Sequence, residues 1–316
     1  MAEALVLFGL GLLLLALGGD SIVKGASGLA QKFGASPFIA GLLLVAFGTS
    51  IPELFVNARA YAVGAQDLAL GNAVGSNIVN FGLTLGLAAL AAPLLIRMRL
   101  LSPMLVALVV ATLAVILFGL DGVISQLEGI VLLLAFVAML VFMLVRSGRE
   151  SLEVRESVAA YADTRSVLWL NLLRFAIAVA LLYFGAKFVV SSAPILGASW
   201  GLSPLLVGLL PVAIGTALPE VAAAIAAARR GQGDMVAGHV IGSSLFNLLI
   251  VVGGMAAFRD LPIPASFVAF ELPAALAVAL LLYPMLRRDL QISRAEGWVL
   301  LVSFIAWVVF ELTLSR

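Results

Sequence analysis

The 316 residues carry 18 Lys and Arg against 17 Asp and Glu, a formal net charge of +1. Hydrophobic residues make up 63 % and charged ones 11 %, with a mean hydropathy of +1.20, whereas about a quarter of a soluble domain is charged; the composition excludes a soluble globular protein and defines a polytopic membrane protein. Cys is absent and His occurs once, which excludes disulfides and thiol catalysis and argues against Cys-ligated zinc or another transition-metal centre.

Spans of about 20 apolar residues each fall at 4–28, 37–64, 68–92, 102–119, 123–145, 167–192, 204–230, 235–257, 265–286 and 296–314. The first lacks the basic start of a secretory signal, carrying Glu3 instead, and Gly18-Gly19-Asp20 leads into a further amphipathic stretch, so it reads as a retained helix. The chain therefore divides into a five-helix unit over 1–145, a linker over 146–166 and a second five-helix unit over 167–316. The linker is too short for a folded domain, and its mixed charges predict a solvated helix or coil. An odd number of helices per unit makes the second unit enter the membrane from the opposite side, so a parallel sequence repeat becomes an inverted structural repeat. Thirteen Lys and Arg, among them Lys32, Arg97, Arg146, Arg165 and Arg230, fall in loops on the linker's side, against Arg59, Arg259 and Arg316 on the other. That bias places the linker in the cytoplasm and both termini outside, in the cell (inner) membrane.

The repeat itself aligns without a gap. Adding 167 to each number from 36 to 86 gives 203–253, and about 19 of the 51 positions are identical. Ser36-Pro37 falls on Ser203-Pro204, Gly48-Thr49 on Gly215-Thr216, Pro52-Glu53 on Pro219-Glu220, Asp67 on Asp234, Gly75-Ser76 on Gly242-Ser243 and Asn80 on Asn247. The matches favour polar and helix-breaking residues over interchangeable Leu and Val. Interrupted hydrophobic segments at corresponding positions of two halves are the sequence pointer to a transporter's binding site.

Proline at 52 and 219 has no amide hydrogen, and its ring clashes with the carbonyl four residues back, that of Gly48 and of Gly215. Carbonyls freed at mid-membrane depth persist only where protein, water or an ion satisfies them. Helical spacing then stacks Thr49 with Glu53, Ser76 with Asn80, Thr216 with Glu220 and Ser243 with Asn247. Four such faces about a pseudo-twofold axis enclose an all-oxygen site suited to hard cations. An ionised Glu at the bilayer centre costs about 3 kcal/mol on insertion scales, so Glu53 and Glu220 facing one another need a cation or a proton. Capping of the half-helix after each proline is the plainer role for these acids. Gly41, Gly71, Gly75, Gly82 and Gly86 and the second-half Gly208, Gly238 and Gly242 read as close-packing positions between helices. Asp67 and Asp234 read as N-caps of the helices that follow them; Asp20 and Lys187 hold repeat-equivalent positions and are candidates to pair, with a plain interfacial role as the equal alternative. His239 stands where the first half has Asn72, and reads as a packed, hydrogen-bonded side chain with a role in pH sensitivity as the sharper alternative.

These residues resemble the calcium/cation antiporter superfamily, in its prokaryotic sodium/calcium exchanger branch. The resemblance rests on Gly48-Thr49-Ser50-Ile51-Pro52-Glu53 with Gly71-Asn72-Ala73-Val74-Gly75-Ser76-Asn77, and on Gly215-Thr216-Ala217-Leu218-Pro219-Glu220 with Gly242-Ser243-Ser244-Leu245-Phe246-Asn247. It implies an all-α integral membrane fold of ten transmembrane helices in two inverted five-helix repeats, with broken helices 2, 3, 7 and 8 forming the central ion site. It implies metal ligation by Thr49, Ser50, Glu53, Ser76, Asn80, Thr216, Glu220 and Ser243, with the Ala46 and Ala213 carbonyls, and alternating access as the first and sixth helices slide across a fixed core. Asn247 occupies the position where such exchangers commonly carry an aspartate, and Ala217 replaces a usual serine. The second departure removes one hydroxyl ligand; the first leaves the pocket two carboxylates rather than three, which points to exchange of Ca2+ for fewer Na+ or for protons.

The resulting expectation is a transporter rather than an enzyme: a secondary antiporter exchanging Ca2+ for Na+ by alternating access. Proton-coupled exchange of Ca2+ or another cation is the alternative, and a cation channel a more distant one. The expected partners are Ca2+, Na+ and the lipid bilayer, with no cofactor and no nucleic acid, and the expected working unit is a monomer.

Overall fold

The computed structural model describes residues 1–161, 164, 167–288 and 290–314; Arg165 and Arg316, counted in the charge balance above, lie outside them. Among the described residues nine helices are long and apolar enough to cross a membrane, and a tenth span is the bent pair Pro37–Leu44 and Gly48–Ala62. In chain order the others are Ala2–Lys32, Gln66–Ala91, Leu101–Asp121, Gln126–Ser147, Leu168–Trp200, Pro204–Arg229, Gly233–Phe258, Phe267–Met285 and Arg294–Thr313. The third and eighth spans are almost wholly enclosed by protein, whereas the fourth, fifth and tenth turn most of their apolar surface outward. Apolar groups facing outward at this density need lipid as their solvent.

Local chemistry sets the helix starts. Ser36 and Ser203 each precede a proline at the first helical position, and their hydroxyls accept the amides of Ile39 and Leu206 at 3.2 and 3.3 Å. Ser125 with Glu128 and Ser293 with Glu296 form reciprocal capping boxes at the fifth and tenth spans.

The inversion is visible in two short antiparallel ribbons. Leu94–Leu95 pairs with Gln291–Ile292, and Val123–Ile124 pairs with Leu261–Pro262. The 167-residue offset carries 94–95 onto 261–262, so each ribbon takes one strand from each half, with the roles exchanged. One ribbon lies at the end of the molecule that holds the linker, the linker end, and the other at the opposite, terminal end. The first and sixth spans run antiparallel beside this assembly and meet through glycine: a Cβ added at Gly11 would lie 2.9 Å from the Gly185 carbonyl, and one at Gly185 equally close to that of Gly11.

The interruptions take two forms. The second span bends by 44° about a 3-10 turn at Gly48–Ser50. The third, seventh and eighth instead carry wide π turns at Asn80–Leu85, Gly208–Val212 and Asn247–Val252; such turns displace backbone without ending the helix. Pro219 thus sits inside the continuous helix Ala213–Arg229, and the disturbance lies earlier, around Pro211.

Several loop expectations are corrected. The helices begin after Ala65 and Gln232, neither of which makes a side-chain cap, so Asp67 and Asp234 are second-position residues rather than N-caps. The Asp234 carboxylate accepts the Arg97 and Met98 amides at 2.6 and 2.7 Å and so ties the third-to-fourth loop to the eighth span. Asp20 pairs with Lys24 at 2.6 Å rather than with Lys187. The linker is not solvated on all sides: its helix Leu152–Tyr161 docks on Pro37–Phe47, burying Val154 and Val158. Gly41 permits the approach, since a Cβ there would lie 3.0 Å from the Val158 carbonyl carbon. Arg155 lies over the Phe38 ring at 5.3 Å, Glu153 pairs with Arg97, and Glu150 accepts the Arg99 and Leu100 amides at 3.1 and 2.9 Å.

Candidate cation site

At the centre, the bend of the second span and the seventh and eighth spans bring the two copies of the repeat face to face. Glu53 and Glu220 are both buried, at 1 % and 7 % exposure. The Glu53 carboxylate faces Glu220 and the Thr216 hydroxyl. The Ser50 hydroxyl donates to Ser243 at 2.7 Å, and the Asn80 amide donates to the same Ser243 oxygen at 3.1 Å. The Asn247 amide donates to Asn77 Oδ1 at 3.2 Å, and the Asn77 amide to the Ser244 carbonyl at 3.3 Å. Gly242 packs directly on the backbone of Ala46, where an added Cβ would lie 2.5 Å from Cα. The Ala213 carbonyl, by contrast, already accepts the Thr216 hydroxyl at 3.2 Å, which also reaches the Val212 carbonyl at 3.0 Å.

What remains is a set of buried acceptors without partners. Glu53 Oε2, Ser76 Oγ, Asn80 Oδ1, both Glu220 oxygens and Asn247 Oδ1 have none among the described residues. An unmet buried polar group costs about 1–3 kcal/mol, more when charged, and hard oxygens of this kind are ones that a cation would satisfy. The unpartnered Ser76 hydroxyl has a counterpart in the repeat. Its repeat partner Ser243 takes a hydrogen bond from Ser50, but the residue equivalent to Ser50 is Ala217, which has no hydroxyl to give. No group of three or more acidic, His or Cys side chains converges among the described residues.

The two halves differ in access. A cavity of about 50 Å3 reaches Thr49, Glu220 and His239 from the linker end along Ala223, Ala224, Ala227, Met235 and Val236. A second, of about 210 Å3, runs beside the first span and meets Thr49, Pro52, Thr216 and Glu220. The repeat-equivalent route from the terminal end passes Val56, Asn57, Ala60, Leu68, Ala69 and Asn72, each 0 % exposed. There the Asn72 amide donates to Asn57 Oδ1 at 2.9 Å. Ala224 takes the place of Asn57 and His239 that of Asn72 in the second half, so one route is plugged by a hydrogen-bonded pair while its twin is lined by alanine.

Sequence spacing placed Thr49, Glu53, Ser76, Asn80, Thr216, Glu220, Ser243 and Asn247 on facing helices; the fold brings Glu53 to Thr216 and Glu220, Thr49 into one cavity with Thr216 and Glu220, and Asn80 to Ser243, whereas Asn247 pairs with Asn77 and Ser76 is buried without a partner among the described residues. The reading of His239 as a packed, hydrogen-bonded side chain holds, its Nδ1 lying 2.6 Å from the Thr49 hydroxyl, but spacing did not reveal that partner or the 3.5 Å approach of Nε2 to Glu220. Nor did it reveal the Asn57–Asn72 plug. The available signal was the set of positions where the two repeats disagree.

Inverted repeats around a buried oxygen cluster reached from one end define a secondary transporter with a cation as cargo. The chain matches the sodium/calcium exchanger protein family over residues 3–145 and 170–313. It is 35 % identical over 321 residues to the putative antiporter CaxA of Alkalimonas amylolytica, covering 97 % of this chain and 98 % of that one. It is 29 % identical to the sodium/calcium exchanger MaX1 of Methanosarcina acetivorans, over 95 % of this chain and 96 % of that protein, and 34 % identical to the inner membrane protein YrbG of Escherichia coli K12, over 100 % and 98 %. A structure of the sodium-calcium exchanger NCX_Mj soaked with Na+ and Sr2+ superposes with a TM-score of 0.69 at 30 % identity, covering 98 % of each chain. The chain belongs to the sodium/calcium exchanger family and is a multi-pass cation antiporter, not an enzyme.

Proposed function

We propose that this antiporter exchanges Ca2+ for Na+ across the cell membrane, with Glu53 and Glu220 supplying the formal charge of the site. Thr49, Ser50, Ser76, Asn80, Thr216, Ser243 and Asn247, with the Ala46 and Ala213 carbonyls, complete its ligand set. The observation that carries the reading is that both buried glutamates, one from each half and facing one another, keep carboxylate oxygens without partners among the described residues, as do the buried side chains of Ser76, Asn80 and Asn247 their own oxygens. Hard oxygens and no thiol suit Ca2+ and Na+. The relatives named as exchangers support the same pair of ions. Under the basic-residue bias the linker end is cytoplasmic, so the open route faces the cell interior and the Asn57–Asn72 plug closes the outer route. Alternating access then requires the two routes to exchange these conditions.

Asn247 favours a modified coupling. Two carboxylates neutralise one Ca2+ or two Na+, so binding of three Na+ leaves an unbalanced positive charge in a medium where that is costly. Exchange of Ca2+ for fewer Na+, with weak dependence on membrane potential, follows. Proton-coupled exchange is the competing reading, favoured by the lost carboxylate. Isotopic Ca2+ uptake into proteoliposomes separates them: replacing Na+ by choline stops sodium-coupled flux and leaves proton-coupled flux running.

A further inference from the structure

His239 is the sole histidine of the chain, and it is buried at the inner end of the linker-end cavity. Its ring is held from behind: Nδ1 lies 2.6 Å from the Thr49 hydroxyl. Nε2 has no hydrogen-bond partner among the described residues, and neither has either oxygen of Glu220, one of which lies 3.5 Å away. When Nδ1–H donates to Thr49, Nε2 presents its lone pair to the cavity beside a carboxylate. Two acceptors then face each other across 3.5 Å. That separation is the one spanned by two metal bonds of about 2.1 Å enclosing roughly 110°.

The ring's position also changes what the cavity offers. In the first half the equivalent Asn72 is occupied by Asn57; in the second, Ala224 leaves His239 without such a partner. The cavity of about 50 Å3 in front of it has room for an ion carrying a water or two. Imidazole nitrogen is a poor ligand for Ca2+, which takes oxygen, and a good one for first-row divalent metals. A lone histidine in the sequence argued against such a metal; its placement against Glu220 argues for one.

We propose that His239 and Glu220, with the Thr49 hydroxyl fixing the ring, form a mixed nitrogen-oxygen site for a divalent cation of the Mn2+ to Zn2+ series at the cytoplasmic mouth of the cation chamber. The inference rests on the cation-site reading of Glu220 and extends it to a second substrate class. A divalent metal entering along the alanine-lined cavity meets this pair before it reaches Glu53, so His239 sets which cations are admitted.

The test uses the tag-free full-length protein in detergent with Mn2+ as the probe. Electron spin-echo spectroscopy of bound Mn2+ is expected to show coupling to one imidazole nitrogen, which in this chain can come from His239 alone. Labelling the protein with 15N-histidine is expected to change the modulation frequencies without altering a single atom of structure. His239→Asn, which restores the residue of the first half, is expected to abolish the coupling and lower the Mn2+ to Ca2+ affinity ratio by about tenfold, the equivalent of about 1.4 kcal/mol. Bound Mn2+ with no nitrogen coupling in the unaltered protein overturns the inference. Ca2+ binding measured on the same samples keeps the two readings apart: calcium bound in a Glu53-dependent manner without imidazole coupling removes the mixed site and leaves the antiporter, whereas imidazole coupling in a protein that binds no calcium removes the calcium reading and leaves the mixed site.

Discussion

Gly242 offers a sharp test of how closely the eighth span must approach the second. A methyl group there would sit 2.5 Å from the Ala46 Cα and against its carbonyl, whereas ordinary contact begins at 3.4 Å. The helices must separate by at least about 0.9 Å, because the carbonyl oxygen lies nearer still and the obstructing atoms are backbone with no rotamer to change. Overpacking of this kind costs about 1–3 kcal/mol. The displacement falls on the Ala46 carbonyl and on Ser243, and metal sites tolerate about 0.2 Å in ligand distance. Gly242→Ala is therefore expected to insert and fold but to weaken Ca2+ binding by about 10- to 100-fold, read as the calcium concentration that half-protects against thermal unfolding. Gly254→Ala, where nothing lies within 4 Å, is the matched control and should leave calcium protection unchanged. Calcium protection of Gly242→Ala equal to that of the unaltered protein would refute the reasoning.

Further outcomes follow from the asymmetry and the linker. The chain has no Cys, so single cysteines report access without background: Ala227→Cys should react with a water-soluble thiol reagent in this state, and the equivalent Ala60→Cys, 0 % exposed, should be protected. Equal labelling of both would show that the two routes do not differ. Asn247→Asp adds a third carboxylate and should raise both Na+ affinity and the dependence of Ca2+ flux on imposed potential; an unchanged potential dependence contradicts the charge argument. Val158→Asp places a charge at a fully buried contact and should release the linker helix from Pro37–Phe47, raising proteolysis within 146–166 about tenfold. Unchanged cleavage would mean that the docked arrangement contributes little.

Much of the fold was legible because a membrane interior penalises so many alternatives. Apolar length marked the spans, an odd number per repeat dictated inversion, and a gapless offset of 167 put Glu53 opposite Glu220. The π turns were not legible, since a helix that widens by one residue keeps its composition. Pro219 suggested a break where the helix Ala213–Arg229 runs on, and the wide turn falls earlier, at Gly208–Val212. The linker's docking was hidden by its charges: Val154 and Val158 are two apolar residues among Glu and Arg, and their partner surface is made by Gly41, more than a hundred residues earlier. His239 was obscured in a different way. Its contact with Thr49 spans 190 residues and breaks the repeat symmetry that made the rest of the site readable.

The central claim is that one cation sits between Glu53 and Glu220, and equilibrium binding of isotopic Ca2+ to the purified protein and its Glu53→Gln and Glu220→Gln variants tests it most directly. Each amide keeps the shape of the side chain and removes one of the two charges, so the account predicts that saturable calcium binding is lost in both variants while each remains folded. Calcium retained at its original affinity by either variant would contradict it.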